Sequence, residues 1–126
     1  MKLGIVIALT TAVMLMELHI CAAQCKPKKM ADGCTHVVDL KFTDDCNKHD
    51  ICYACGNGRG FSRLNCDDRY YENMINTCNT KVNWFLRPGC KGIAWVYYRK
   101  VRDFDEKSYK VPSEKFCKEA WVRACV

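Results

Sequence analysis

The sequence predicts a small, mainly α-helical domain held together by disulfides. Three observations predict it. Ten of the cysteines fall within residues 24–126, apolar residues recur at helical spacing in three stretches, and strand signal is weak throughout. A chain of this size buries only a modest core, so crosslinks that restrict the unfolded chain would contribute about 2–4 kcal/mol each.

The elements follow in order. Residues 1–23 read as a secretory signal peptide: Lys2 is a short basic start, Leu3 to Met16 carries no charge, and Cys21-Ala22-Ala23 supplies small residues before the polar opening Gln24-Cys25-Lys26. Glu17 and His19 interrupt the apolar run too early for a membrane span. The expected mature product is one secreted, extracellular domain, residues 24–126. Removing Cys21 from eleven cysteines leaves an even ten and predicts five disulfides, whose connectivity a count does not fix. Val37 and Val38 mark a short extended piece or hairpin around Thr35 to Leu40.

Thr43 is placed to cap a first helix with Asp44 and Asp45 in its opening turn, and Gly56-Asn57-Gly58 ends it. A second helix begins near Ser62 or Asn65 and runs through Cys78, with Leu64, Tyr71, Met74, Ile75 and Cys78 as its inward stripe. Asn83 to Gly89 reads as a loop closed by Pro88-Gly89. Ile93, Ala94, Tyr97, Val101 and Phe104 mark a third amphipathic helix. The charged run from Arg102 to Lys110 reads as a connection, after which Ser113 caps a short final helix with Phe116, Cys117, Ala120, Trp121 and Ala124 inward.

Within the first helix, Cys46-Asn47-Lys48-His49-Asp50-Ile51-Cys52-Tyr53 sets a histidine beside a carboxylate and clamps both between cysteines. Cys46, His49 and Tyr53 share one helix face while Asp50 is rotated by about 100°, so the two titratable groups can serve different partners. Asp67 falls in the apolar stripe of the second helix, where a carboxylate is costly to bury unless it is paired. The formal net charge of +6 favours anionic partners. A phospholipid surface, with anionic lipid favoured, fits an exported chain; nucleic acid does not, since no basic motif interleaved with aromatic residues is present.

These segments resemble the secreted phospholipases A2. The signature His49-Asp50-x-Cys52-Tyr53 with Cys46 before it is similar to that family's catalytic helix, and Cys66-Asp67 followed by Tyr70 and Tyr71 is similar to its second long helix. Asp32-Gly33-Cys34, Tyr71-Glu72-Asn73-Met74, Ala94-Trp95-Val96-Tyr97-Tyr98 and Val101-Arg102-Asp103-Phe104 resemble the short microbial-type branch and the conodipines of cone snail venom. The likeness runs from about residue 30 to 105. It implies two long antiparallel helices carrying the His/Asp pair, a third helix and little or no β structure.

It also implies roles. His49 would be the general base that takes a proton from water, Asp67 would orient its imidazole, and Tyr53 would hydrogen-bond Asp67 from the facing helix. Asp50 would bind a calcium ion with Asp32 and the backbone carbonyl of Gly33 as further ligands, the ion polarising the sn-2 ester carbonyl. The spacing from Asp32 to Asp50 is a few residues shorter than in the microbial type, which leaves Thr35, His36 and Asp39 as alternative ligands. Asp45 stands where the larger animal enzymes carry the first of two paired cysteines. The implied activity is calcium-dependent hydrolysis of the sn-2 ester of glycerophospholipids by a venom component.

Three alternatives stay open. The scaffold would also serve a non-catalytic toxin that binds a receptor or channel. Cys52-Tyr53-Ala54-Cys55 has the spacing of zinc and redox sites, although in an exported chain with an even cysteine count both are expected as disulfide halves. Processing near residues 99–112 would give a disulfide-linked two-chain product. Finally, Trp84, Phe85 and Leu86, bounded by Lys81 and Arg87, either fold inward over the helices or seat on a membrane surface.

Overall fold

The computed structural model describes residues 24–34 and 41–126. The signal-peptide reading of residues 1–23 and the extended piece at residues 35–40 lie outside the described residues. Three α-helices dominate: α1, Thr43–Cys55; α2, Arg63–Lys81; and α3, Arg87–Phe104. Among the described residues there is no strand.

Cross-helix contacts fix the register. Asp45 meets Thr77, Cys46 meets Tyr70, His49 meets Asp67 and Cys52 bonds Cys66, so residue numbers fall along α2 as they rise along α1, and the two helices are antiparallel. The same holds for α2 and α3, where Arg63 reaches the carbonyls of Val101 and Arg102, Asp68 meets Tyr98 and Cys78 bonds Cys90. The core lies between them. Met74 and Cys78 from α2 pack with Phe42, Cys46, Ala94, Tyr97 and Val101, and the fully buried Met74 alone is worth roughly 1.5–3 kcal/mol of apolar burial.

The helix ends differ from expectation in physically readable ways. Phe42, not Thr43, is the N-cap of α1, and it makes no side-chain capping bond; its ring is buried in the core, and that placement fixes where the helix starts. At the other end of α1, Gly56 runs on into a 3-10 turn at Asn57–Arg59 that closes on the left-handed Gly60 (φ 78°). A Cβ on Gly56 would stand 2.6 Å from the Cys52 carbonyl oxygen and 3.0 Å from Cys66 Sγ, so a glycine is needed there for close approach. Ser62 caps α2 through a reciprocal pair, its Oγ accepting from the Asn65 N–H at 3.1 Å and Asn65 Oδ1 accepting from the Ser62 N–H at 2.9 Å. Leu64, in the first turn of α2, is exposed and not part of the inward stripe, and Ile93 and Phe104 of α3 are likewise exposed.

Two segments are corrected outright. Residues 83–89 are not one loop: Trp84–Leu86 form a 3-10 turn and Arg87 opens α3 with Pro88 in its first turn, where a missing N–H costs nothing. Trp84 is 78% exposed and Phe85 and Leu86 are exposed beside it, so they do not cap the helices. The expected final helix is instead two 3-10 turns, Lys115–Lys118 and Ala120–Ala124. Ser113 does not cap it; its Oγ accepts from the Gly58 N–H at 2.7 Å and so pins the tail to the end of α1. Val122 and Cys125, rather than Ala120, are the tail's buried residues, packed on Ile51, Ala54 and Cys55.

Ten cysteines form five disulfides: Cys25–Cys125, Cys34–Cys46, Cys52–Cys66, Cys55–Cys117 and Cys78–Cys90. Cys52 and Cys55 therefore belong to two different bridges, which leaves no thiolate pair for zinc or redox chemistry.

Candidate active site

Helical periodicity puts His49 and Tyr53 on the face of α1 that meets α2, and Asp67 stands one turn into α2 opposite them. Asp67 has no solvent exposure. His49 Nε2 lies 2.8 Å from Asp67 Oδ1, and the Tyr53 hydroxyl donates to the same oxygen at 2.7 Å. The second oxygen, Oδ2, accepts from Arg102 of α3 at 2.6 Å, with Arg63 at 4.0 Å. Burial by itself would push the Asp67 carboxyl up, but His49, Tyr53 and Arg102 outweigh it and hold the group below the ordinary carboxylate range. Burial and the neighbouring Asp67 charge push the Tyr53 phenol up, so it stays a neutral donor.

An ionised Asp67 is an acceptor only, which assigns the proton to His49 Nε2 and leaves the lone pair on Nδ1. The imidazole is fixed on both faces. Its ring centre lies 4.1 Å from that of Tyr53 and 4.5 Å from the stacked ring of Tyr70, whose hydroxyl is 3.1 Å from Cys46 Sγ. His49 itself is buried yet lines a small cavity with Gly33, Asp50, Lys100 and Asp105.

Asp50 opens onto that cavity from the adjacent face of α1. Its Oδ2 is buried and has no hydrogen-bond partner. Burial, then the nearby Asp32 carboxylate, raises its pKa to about 7, against a lowering pull from the Asp32 backbone N–H. An orphaned, desolvated carboxylate oxygen beside a second carboxylate is a poor resting state for a protein alone and a good one for a hard cation. The loop that brings Asp32 there is turned back by left-handed backbone at Met30 (φ 59°) and Gly33 (φ 80°), and it is tied to α1 by the Gly33 N–H donating to Asn47 Oδ1 at 3.0 Å. Among the described residues no three His, Cys, Asp or Glu side chains group closely enough to hold a metal by themselves. Backbone carbonyl and water oxygens would have to complete a shell around Asp50 and Asp32. Thr35, His36 and Asp39 lie outside the described residues.

The structure thus brings His49, Tyr53 and Asp67 into one hydrogen-bonded group and sets Asp50 and Gly33 in the wall of the neighbouring cavity, with Asp32 close to Asp50. Sequence reasoning missed Arg102, Asn47 and Tyr70. A buried Asp67 facing a single histidine left charge unbalanced, which was the available signal for a cation on α3; nothing in the sequence marked Asn47. Asp45, placed by the sequence in the opening turn of the first helix, is buried and accepts from Thr77 Oγ1 at 2.8 Å, a polar tie between α1 and α2.

The chain is similar in sequence to known proteins. A family model described as prokaryotic phospholipase A2 matches residues 18–105. The chain is 40% identical over 37 residues to the Conodipine-M alpha chain of Conus magus, covering 29% of this chain and 48% of that one. It is 37% identical over 54 residues to Conodipine-P2 of Conus purpurascens, covering 40% of this chain and 30% of the relative. The match therefore spans about half the length of the first relative and under a third of the second. No solved structure matches.

Proposed function

The chain belongs to the prokaryotic phospholipase A2 family, and from that premise we propose that it is a secreted, calcium-dependent phospholipase A2. It hydrolyses the sn-2 ester of glycerophospholipids to lysophospholipid and free fatty acid, as a venom component acting on a phospholipid surface. The observation that carries this reading is the His49–Asp67 hydrogen bond at 2.8 Å beside a cavity where a buried Asp50 oxygen has no partner. Five disulfides suit an extracellular product, and the +6 charge suits anionic lipid.

In the mechanism this geometry supports, Asp67 and Tyr53 hold the His49 ring so that Nδ1 points its lone pair at a water molecule. Nδ1 takes a proton as the water oxygen bonds to the ester carbonyl carbon. The imidazolium so formed is stabilised by Asp67, whose charge is already balanced on its other side by Arg102. When the intermediate collapses, the ester C–O bond breaks and Nδ1 returns the proton to the departing lysophospholipid oxygen. Asp50, Asp32 and the Gly33 carbonyl would hold the calcium ion, which when bound polarises the ester carbonyl and stabilises the oxyanion.

The test is fatty-acid release from phospholipid vesicles by the purified mature protein, with calcium and with chelator. Release should require calcium. Asp50→Asn should lose calcium binding, read by calorimetry, together with activity. Full calcium-stimulated hydrolysis by that variant would move the ion elsewhere, and no release under any condition would refute the enzyme.

A further inference from the structure

Helix α3 has more apolar surface than its packing uses. Its inward stripe, Ala94, Tyr97 and Val101, is buried against α2 and Phe42. A second apolar row runs along its outer flank. Leu86, Ile93, Val96, Lys100 and Phe104 succeed one another at steps of 7, 3, 4 and 4, which keeps them on one side of a helix. All four apolar members are exposed, Val96 at 61% and Phe104 at 77%. Val96 and Phe104 line an open, mostly apolar groove with Trp95, Arg99, Lys100 and Asp103.

We infer that this outer flank of α3, centred on Val96, Lys100 and Phe104, is the surface that seats the protein on anionic phospholipid, with Phe104 and Val96 inserted at headgroup depth. The inference rests on the phospholipase reading for its partner and goes beyond it in naming the face. Two features of the structure select lipid. Charge is the first: Lys100 stands in the row itself and Arg99, paired with Asp103 at 2.9 Å, lies beside it, on a chain of formal net charge +6. An exposed apolar row that carries a cation matches the boundary between acyl chains and anionic headgroups. Continuity is the second. Lys100 belongs to the groove and also to the wall of the cavity that holds His49 and Asp50. A bilayer against the groove therefore meets the cavity at Lys100, and a phospholipid leaving the bilayer there has a short path to His49. The exposed turn Trp84–Leu86 lies before the first turn of α3, whereas Lys100 lies in the last. Trp84 and Phe85 can add contact at that end but do not border the cavity.

The experiment is co-sedimentation of the mature protein with phosphatidylglycerol vesicles and with phosphatidylcholine vesicles in chelator, so that binding is read apart from turnover. The parent should prefer phosphatidylglycerol. Val96→Ser/Phe104→Ser, a surface pair whose folding is checked by its melting curve, should bind phosphatidylglycerol about tenfold or more weakly. Its rate on vesicles should fall relative to its rate on a dispersed short-chain ester. Three results would overturn the inference: parent-like vesicle binding by that variant, loss of binding on Trp84→Ala alone while the double variant still binds, or a dimer that the double variant breaks while vesicle binding stays. A protein that binds vesicles as expected yet releases no fatty acid would keep the docking face and refute only the catalytic reading.

Discussion

Asp67 has no contact with water and still carries a charge, because His49 and Tyr53 engage one of its oxygens and Arg102 the other. The arrangement gives the site its proton geometry, and it makes two residues testable in different ways. His49→Gln should lower turnover by about a thousandfold or more while leaving fold and calcium binding in place, since only the basic nitrogen is lost; a variant that keeps a substantial rate would end the general-base assignment. Arg102→Gln should act on stability as well as rate. Losing a charged donor to a buried carboxylate costs about 2 kcal/mol. The sign of the pH effect follows from the lowered Asp67 pKa. Stability gained from its ionised form is fully present above the ordinary carboxylate value of about 4 and is lost as pH falls through the depressed native value. Without Arg102 that native value rises, so the acid limb of a melting-temperature curve should move to higher pH. An unmoved acid limb would mean that Arg102 is not what keeps Asp67 ionised. His49, Asp50 and Asp67 were legible in the sequence because a histidine beside an acid, and an acid in an apolar stripe, each stand out against their neighbours. Arg102 stood at the head of a charged run that read as a connection, so nothing marked it as a partner for Asp67.

At the scale of the elements, legibility tracked local chemistry. The start of α2 was readable because Ser62 and Asn65 satisfy each other's backbone groups within four residues. That cap lies five residues before Asp67, so it anchors the turn that presents the carboxylate. Ser62→Ala should cost about 1 kcal/mol in chemical unfolding and leave turnover near the parent's well below the melting temperature; a neutral effect on stability would show that tertiary contacts, not the cap, begin the helix. The start of α3 was misread because Pro88-Gly89 is turn chemistry in one context and helix-opening chemistry in another, and only the preceding 3-10 turn decides between them. The tail was misread for a longer-range reason. Ser113 found a partner at Gly58, 55 residues away, and with Cys117 and Cys125 both bridged to distant segments the tail follows its anchors more closely than its own periodicity.

Across the whole molecule, the tail is a brace for α1. The Lys110 N–H donates to the Tyr53 carbonyl at 3.0 Å and the Glu114 N–H to the Ala54 carbonyl at 3.0 Å, so the last turn of α1, which carries Tyr53, is held by a segment far along the chain. Cys55–Cys117 and Cys25–Cys125 join residues 62 and 100 positions apart, and in the chain-entropy model such long loops contribute roughly 4 kcal/mol or more each. Between α3 and these anchors the turn Glu106–Ser108 is exposed. A single cut at an engineered protease site after Lys107 should therefore leave one species on a non-reducing gel and two after reduction. The cut protein should retain its melting transition, because every bond named above joins the tail beyond the break to residues well before it and none uses the cut residues. Release of the tail without reductant would show that Cys117 and Cys125 are not bridged to Cys55 and Cys25, and the brace, together with the two-chain product it permits, would have to be abandoned.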